Sequence, residues 1–200
     1  MDTHIAVEAK TARSGLTLAA ILDTALAMAV ADGLESLTIG EVAKRLGVSK
    51  SGVFSRIGSR EALQKAVIEE YDRRFVQDVL VPAMREPRGL PRLNTIMRLW
   101  LQRARDVGIR NGCLYSAGSF EYDDRDGPLR ELLLAGVKRW RAALKRTVLQ
   151  AIEAGHLRAD TDAVQLVFEL DGMFIALMRE ARFLRAPQAA DRAWAAYERV

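Results

Sequence analysis

Between Glu41 and Glu61 every charged side chain is basic: Lys44, Arg45, Lys50, Arg56 and Arg60. Such a run suits contact with a polyanion, because lysine and arginine that neutralise phosphates supply the sequence-independent part of nucleic-acid affinity. Small hydroxyl side chains, Ser49, Ser51 and Ser55, lie among these cations. They leave room for a helix to approach a groove closely. Lys50 and Ser51 stand where base-edge readers would stand, with Ser49, Ser55 and Arg56 flanking them. Thr38, Lys44, Phe54 and Arg60 suit the task of holding the DNA backbone. An ordinary helical hairpin with a solvated basic face is the alternative reading.

The elements that must position these residues are written in the same stretch, TIGEVAKRLGVSKSGVFSRIGSR from Thr38 to Arg60. Thr38 and Glu41 have the spacing of a capping box, in which the hydroxyl takes a free N–H and the carboxylate reaches back. Ile39, Val42, Ala43 and Leu46 then fall on one helical face, and Ala43 is small enough to let a second helix cross nearby. Gly47 follows where the helix must stop in a left-handed conformation. Val48 is an apolar pin after the turn, and Ser49 is a good cap for a second helix that turns Val53 and Ile57 inward. A free helix N-terminus at Thr38 also presents N–H groups to a phosphate. The pattern predicts a helix-turn-helix whose second helix enters a major groove.

Catalysis has little support. The two histidines, His4 and His156, fall in an expected arm and an expected turn, with no acid–base or metal partners nearby in sequence. No nucleophile elbow, phosphate-binding loop or dinucleotide fingerprint is present, and no cofactor or metal is expected. The loop EYDDRDGP can be laid over a calcium-loop pattern, but the first ligand would be Tyr122 and the closing glutamate position is Leu133. A solvated acidic loop is the better account.

Composition is consistent with this reading. Half of the 200 residues are hydrophobic, enough for one or two domains with a real core, and the net charge of +4 is compatible with a nucleic-acid partner. One cysteine, Cys113, excludes an intramolecular disulfide framework and fits a reducing cytoplasm. The polar start after Met1 lacks a signal-peptide core, and no run of 18 apolar residues offers a membrane span. Alternation of the β type is absent, so an all-α chain is expected.

Residues 1–14, with Lys10 and Arg13, read as an arm. A first helix follows with Leu18, Ile21, Leu22, Ala25, Met28 and Ala29 on one face, ending near Asp32-Gly33. Ser59 caps a fourth helix whose stripe of Leu63, Val67, Tyr71, Phe75 and Val79 runs until Pro82 stops it. The expected domains are therefore a head over residues 1–60, a connecting helix over about 60–81, and a helical regulatory domain over 82–200. In the latter, Leu93, Ile96, Met97, Trp100, Leu101, Ala104 and Val107 form a stripe with Arg92, Arg98, Arg103 and Arg105 largely opposite. Gly108 to Gly112 interrupts that helix, and a shorter one is expected from Leu114 to Tyr122. Pro128 opens a helix carrying Leu129, Leu133, Val137, Trp140, Leu144, Val148 and Ile152 as far as Gly155. The helix from about Thr161 to Phe183 is apolar nearly all round, which a second copy of the chain would cover most easily. With a last helix carrying Ala190, Ala193, Trp194 and Tyr197, it predicts a homodimer through residues about 161–199.

The first third of the chain resembles the TetR/AcrR-like transcriptional regulators. The matching pieces are Ile21-Leu22-Asp23-Thr24-Ala25, Thr38-Ile39-Gly40-Glu41-Val42-Ala43, Gly47-Val48-Ser49, Phe54-Ser55-Arg56-Ile57 and Ser59-Arg60-Glu61-Ala62-Leu63. The family usually has Tyr at the place of Phe54, His at that of Arg56 and Lys at that of Arg60. Phe54 lacks the hydroxyl, and Arg56 and Arg60 offer charge-assisted contacts in compensation. The resemblance implies an N-terminal three-helix head, a helical ligand-binding and dimerisation domain, and a repressor that leaves a palindromic operator when a small molecule binds. It also implies a pocket in residues 92–183, for which Met97, Trp100, Leu101, Cys113, Phe120, Trp140, Leu144, Phe174 and Met178 are the candidate walls. For any single one of these, filling space in the core is the favoured reading. The glycine–cysteine junction at Gly112-Cys113 resembles one branch of such regulators, leaving Cys113 as either a redox sensor or an inert buried thiol. A constitutive helix-turn-helix protein and a helical interaction adaptor remain as alternatives.

Overall fold

The computed structural model describes residues 17–105 and 112–200, and no strand occurs among them. The expected arm, with His4, Lys10 and Arg13, and the positions Val107, Gly108 and Asn111 lie outside the described residues. Helix α1 spans Leu18–Asp32, α2 Ile39–Leu46, α3 Lys50–Ile57 and α4 Arg60–Phe75. The regulatory part follows as α5 Leu90–Arg103, α6 Leu114–Glu121, α7 Pro128–Glu153, α8 Ala163–Met178 and α9 Ala189–Tyr197.

Each α-helix of the head, and the connecting helix after it, starts at a hydroxyl. Thr17, Thr38, Ser49 and Ser59 accept hydrogen bonds from the backbone N–H of Ala20, Glu41, Gly52 and Ala62 at 3.0–3.2 Å. Caps of this kind stabilise a helix by about 1 kcal/mol each. The Thr38 half of the capping box forms as expected. The return bond from the Glu41 carboxylate is absent among the described residues, and Glu41 is exposed instead. Gly47 ends α2 at φ 66°, ψ 29°, the left-handed geometry its place required.

Packing joins the head to the rest through one continuous core. Ile21, Ala25, Met28 and Ala29 of α1 are buried with Leu63, Val67, Tyr71 and Phe75 of α4, in a core that continues into α5, α7 and α8. Leu18, expected on the buried face of α1, is exposed because it occupies the first turn, beyond the reach of α4. The connecting helix also departs from expectation at Pro82. After Phe75 the backbone widens into a π-helical turn over Val76–Leu80, where the Val81 N–H reaches Val76 O, and the helix continues through Ala83. A wider turn admits a ring that would collide with the carbonyl four residues earlier in a regular helix. Val79 stays buried through this shift.

Helices α7 and α8 pack along each other, and α9 closes over α8 and α5. Asp162 caps α8 by accepting from Val164 and Gln165 N–H at 2.8 and 3.1 Å. The outward face of α8 keeps Val164 and Phe168 exposed, and Phe183 follows in a π-helical turn over Arg179–Phe183. The apolar stripe of α9 is used within the chain: Ala193 and Tyr197 are buried, and the Tyr197 hydroxyl donates to Asn94 Oδ1 of α5 at 2.6 Å.

Candidate functional site: a basic reading helix and a cavity beneath it

Two sites follow from this framework. The first is the outer surface of α2 and α3. Val53 is fully buried and Val48 and Ile57 pack against the core, so the opposite side of α3 faces solvent. Lys50, Ser51, Phe54, Ser55 and Arg56 all lie on it, with Lys44 exposed on α2. Phe54 is 54 % exposed, an aromatic ring held away from the core on the reading helix. Ser49 Oγ, already capping α3, lies 3.2 Å from Ser51 Oγ. Ser55 and Arg56 both donate to Gly52 O at 3.0 Å, so the Arg56 guanidinium folds along its own helix.

Arg60 has a different setting. Its Nε donates to Leu37 O at 2.9 Å, and Nη2 donates to Glu35 O at 2.6 Å and to Glu35 Oε2 at 2.8 Å. The side chain expected at the DNA backbone is bonded into the turn before α2. Its basic neighbours gave no sign of this, because the acceptors lie more than twenty residues upstream.

The second site is a cavity of about 310 Å³ between head and regulatory domain. Asp23, Leu26, Ala27 and Val30 of α1 form one wall. Tyr71, Arg74, Phe75 and Asp78 of the connecting helix form another, and Trp100, Arg103, Ala104, Gly112, Cys113 and Phe174 complete it. A smaller cavity of about 190 Å³ shares Phe75, Trp100, Cys113 and Phe174 with it and extends to Tyr115, Ser116, Ser119, Val137, Trp140, Asp171 and Ile175. The floor is aromatic: Trp100 stacks on Phe174 with ring centroids 4.2 Å apart, and Trp140 meets Trp100 and Phe75 edge-on.

Of the expected pocket residues, the structure brings Trp100, Cys113, Trp140 and Phe174 to these cavities. Met97, Leu101, Leu144 and Met178 are buried core side chains that line neither. Phe120 is 66 % exposed on α6 and lines neither, because its neighbours Gly118 and Tyr115 take the inward positions of that helix. Arg103, expected on the outer side of α5, turns in: it pairs with Asp78 and lies over the Tyr71 ring, 5.5 Å from its centroid. The Tyr71 hydroxyl lies 3.1 Å from Cys113 Sγ, and burial pushes its phenol well above the usual value. Across the mouth Arg74 bridges Asp23 of the head and Glu70.

A further connection had no counterpart in the sequence reading. The Glu121 carboxylate at the end of α6 accepts from Leu34 and Glu35 N–H at 2.9 and 2.8 Å. Tyr122 donates to Glu35 Oε1 at 2.5 Å, and Arg125 lies 3.5 Å from the same oxygen. The loop read as merely acidic and solvated thus grips the turn that leads into α2.

Residues 21–67 match the bacterial regulatory proteins of the tetR family, and residues 89–197 match the tetracyclin repressor-like C-terminal domain. The curated proteins offer no match. Among solved structures, a TetR regulator of Chloroflexus aurantiacus is 19 % identical, with 94 % of this chain and 92 % of that one covered at a TM-score of 0.78. A TetR-family regulator of Streptomyces coelicolor is also 19 % identical, with coverage of 90 % and 91 % and a TM-score of 0.76. AibR, solved with isovaleryl coenzyme A and operator DNA, is 22 % identical, with coverage of 80 % and 85 % and a TM-score of 0.66. No helix among the described residues is long and apolar enough to cross a membrane. A helix-turn-helix head and a helical ligand-binding domain, each matched by its family model, show that the chain belongs to the TetR family of DNA-binding transcriptional regulators.

Proposed function

We propose that the protein is a cytoplasmic repressor that binds a palindromic operator as a homodimer and leaves it when a small molecule enters the cavity beneath the head. It has no catalytic role in this reading. The head is residues 1–60, the connector about 60–81, and the regulatory domain 82–200. Lys50 and Ser51, in the first turn of α3, read base edges. Ser49, Ser55 and Arg56 flank these readers, Thr38, Lys44 and Phe54 fix the helix against phosphates and sugars, and Arg60 holds the turn before α2.

The observation that carries the regulatory part is the composition of the larger cavity's walls. They include α1 of the head and α5 and α8 of the regulatory domain, with the connector between them. An occupant there makes contacts that depend on how α1 sits against α4, so it binds one arrangement of the heads better than another. Ligand and operator then oppose each other by one reciprocal coupling free energy, of about 1–3 kcal/mol in typical cases. AibR, a neighbour of the same fold, is solved with both a small molecule, isovaleryl coenzyme A, and operator DNA.

The test is a selection of duplex DNA on the purified protein, read by sequencing and repeated with Lys50→Ala. An inverted repeat is expected to be enriched, and the substitution is expected to relax its sequence and weaken binding. No enrichment at low salt would overturn operator recognition. Operator binding that no cavity ligand affects at saturation would favour the constitutive alternative.

A further inference from the structure

The end of α6 closes on the turn that leads into the reading unit. The Glu121 carboxylate takes the backbone N–H groups of both Leu34 and Glu35, one on each oxygen. The approach is tight: a Cβ on Gly33 would lie 2.9 Å from Glu121 Oε1. Tyr122, only 6 % exposed, donates to Glu35 Oε1 from the next position. Hydrogen bonds to a carboxylate are short and directional, and about twice as strong as neutral ones.

The same turn is fastened separately to the connector. Arg60, just beyond α3, donates to Glu35 O, Glu35 Oε2 and Leu37 O, and Gln64 donates to Leu34 O at 2.8 Å. Helices α2 and α3 hang between the turn and the start of α4, so these pieces form one body without help from α6. What Glu121 and Tyr122 add is a link from that body to the regulatory domain. Apolar packing of α1 on α6 joins the same two parts, but it is non-directional. Hydrogen bonds of set angle supply an orientation.

Orientation matters because two heads must meet one duplex. A base pair added between half-sites moves the second by about 3.4 Å and turns it by about 35°, given a helical turn of 10–10.5 base pairs. We propose that Glu121 and Tyr122 are positioning residues for operator binding, which fix the pose of α3 against the regulatory domain and so the half-site spacing the dimer accepts. This rests on the reading of the protein as a dimeric operator binder. Neither side chain touches DNA in this role. Tyr115, Ser116 and Ser119 of the same helix line the smaller cavity, so the clamp ends on an element that a cavity ligand would contact.

The test uses the inverted repeat that wild type selects, the same repeat with one central base pair added or removed, and a duplex holding one half-site. In fluorescence anisotropy at low salt, wild type is expected to bind both altered spacings at least about tenfold more weakly. Glu121→Gln with Tyr122→Phe keeps the size of both side chains, but glutamine has one acceptor oxygen and phenylalanine no donor. The double variant is expected to reduce the spacing penalty to about threefold or less, with half-site binding within about twofold of wild type. Val148→Ala, in the buried core of α7, weakens the fold away from the clamp and is expected to keep the wild-type penalty.

A full penalty in the double variant, or a lost one in Val148→Ala, would overturn the proposal while leaving operator recognition intact. Equal binding of all spacings by wild type would do the same. Loss of half-site binding in the double variant would show that these contacts hold the reading unit together rather than aim it, which also overturns the proposal. If wild type selects no inverted repeat, the operator reading itself falls, and the clamp with it.

Discussion

Arg60 and Lys44 carry the same charge in the same basic run, but their surroundings divide their roles. Arg60 donates to Leu37 O, Glu35 O and the Glu35 carboxylate, whereas Lys44 is exposed on the outer face of α2. Removing Arg60 leaves two carbonyls and a carboxylate without that donor. Because the pair is partly exposed, the cost should be modest, about 1 kcal/mol. Arg60→Ala is therefore expected to lower the thermal midpoint by about 2–4 °C and to leave the salt slope of operator binding nearly unchanged. Lys44→Ala should do the reverse, reducing the slope by about one with little change in melting. Thermal unfolding and anisotropy across a salt series check both. A reduced slope with normal melting for Arg60→Ala would return that residue to the DNA backbone.

Helices and turns show why some of this was legible in the sequence and some was not. The reading head was legible because its signals are local: Thr38 caps α2 three residues before Glu41, Gly47 ends that helix, and Ser49 caps the next. The stripe from Leu63 to Val79 survived even the π-helical turn. What escaped were contacts between distant segments. Asp23 meets Arg74, Glu121 meets the Leu34 turn, and Phe120 points out where its neighbours point in. A stripe shows that a face is buried but not whether it borders a cavity, so Met97 and Trp100 looked alike.

Two predictions belong to this scale. Gly33 stands at φ 89°, and a Cβ there would lie 2.9 Å from Glu121 Oε1. Gly33→Ala should therefore strain the turn and disturb the α6 grip together, destabilising the protein by more than about 1 kcal/mol in denaturant titration. An unchanged midpoint would show the grip to be dispensable. On α4, the hydrogen bond from Arg73, helped by Arg74, holds the Glu70 carboxyl at about 2, below its ordinary 4.5. A depressed carboxylate contributes stability that is present above pH 4.5 and is lost as pH falls toward 2. Wild type should thus melt above Glu70→Gln at neutral pH, with the gap closing across that acid range. A gap that stays constant as pH falls would rule out the linkage.

For the whole molecule, the outward face of α8 decides how two heads could act together. Phe168 is 62 % exposed and Phe183 79 %, Val164 lies a turn before Phe168, and Leu149 is exposed on the neighbouring α7. A Cβ on Gly172 would meet nothing in this chain, so a second helix has room to approach there. The stripe of α9, in contrast, is already turned into its own subunit, which moves the proposed dimer face toward α8 and away from the chain's end. The same helix supplies Asp171, Phe174 and Ile175 to the smaller cavity, so an occupant would bear on the helix that the proposed dimer would share. A charge on the outer face should therefore separate the subunits without entering the cavity or touching α3. Phe168→Asp is expected to sediment as a monomer at concentrations where wild type is a dimer. Operator affinity should fall by about 10²–10⁴, the advantage that linking two half-site contacts confers. If the variant stays dimeric and binds the operator normally, the interface lies elsewhere, and the exposed aromatic face of α8 must have another occupant.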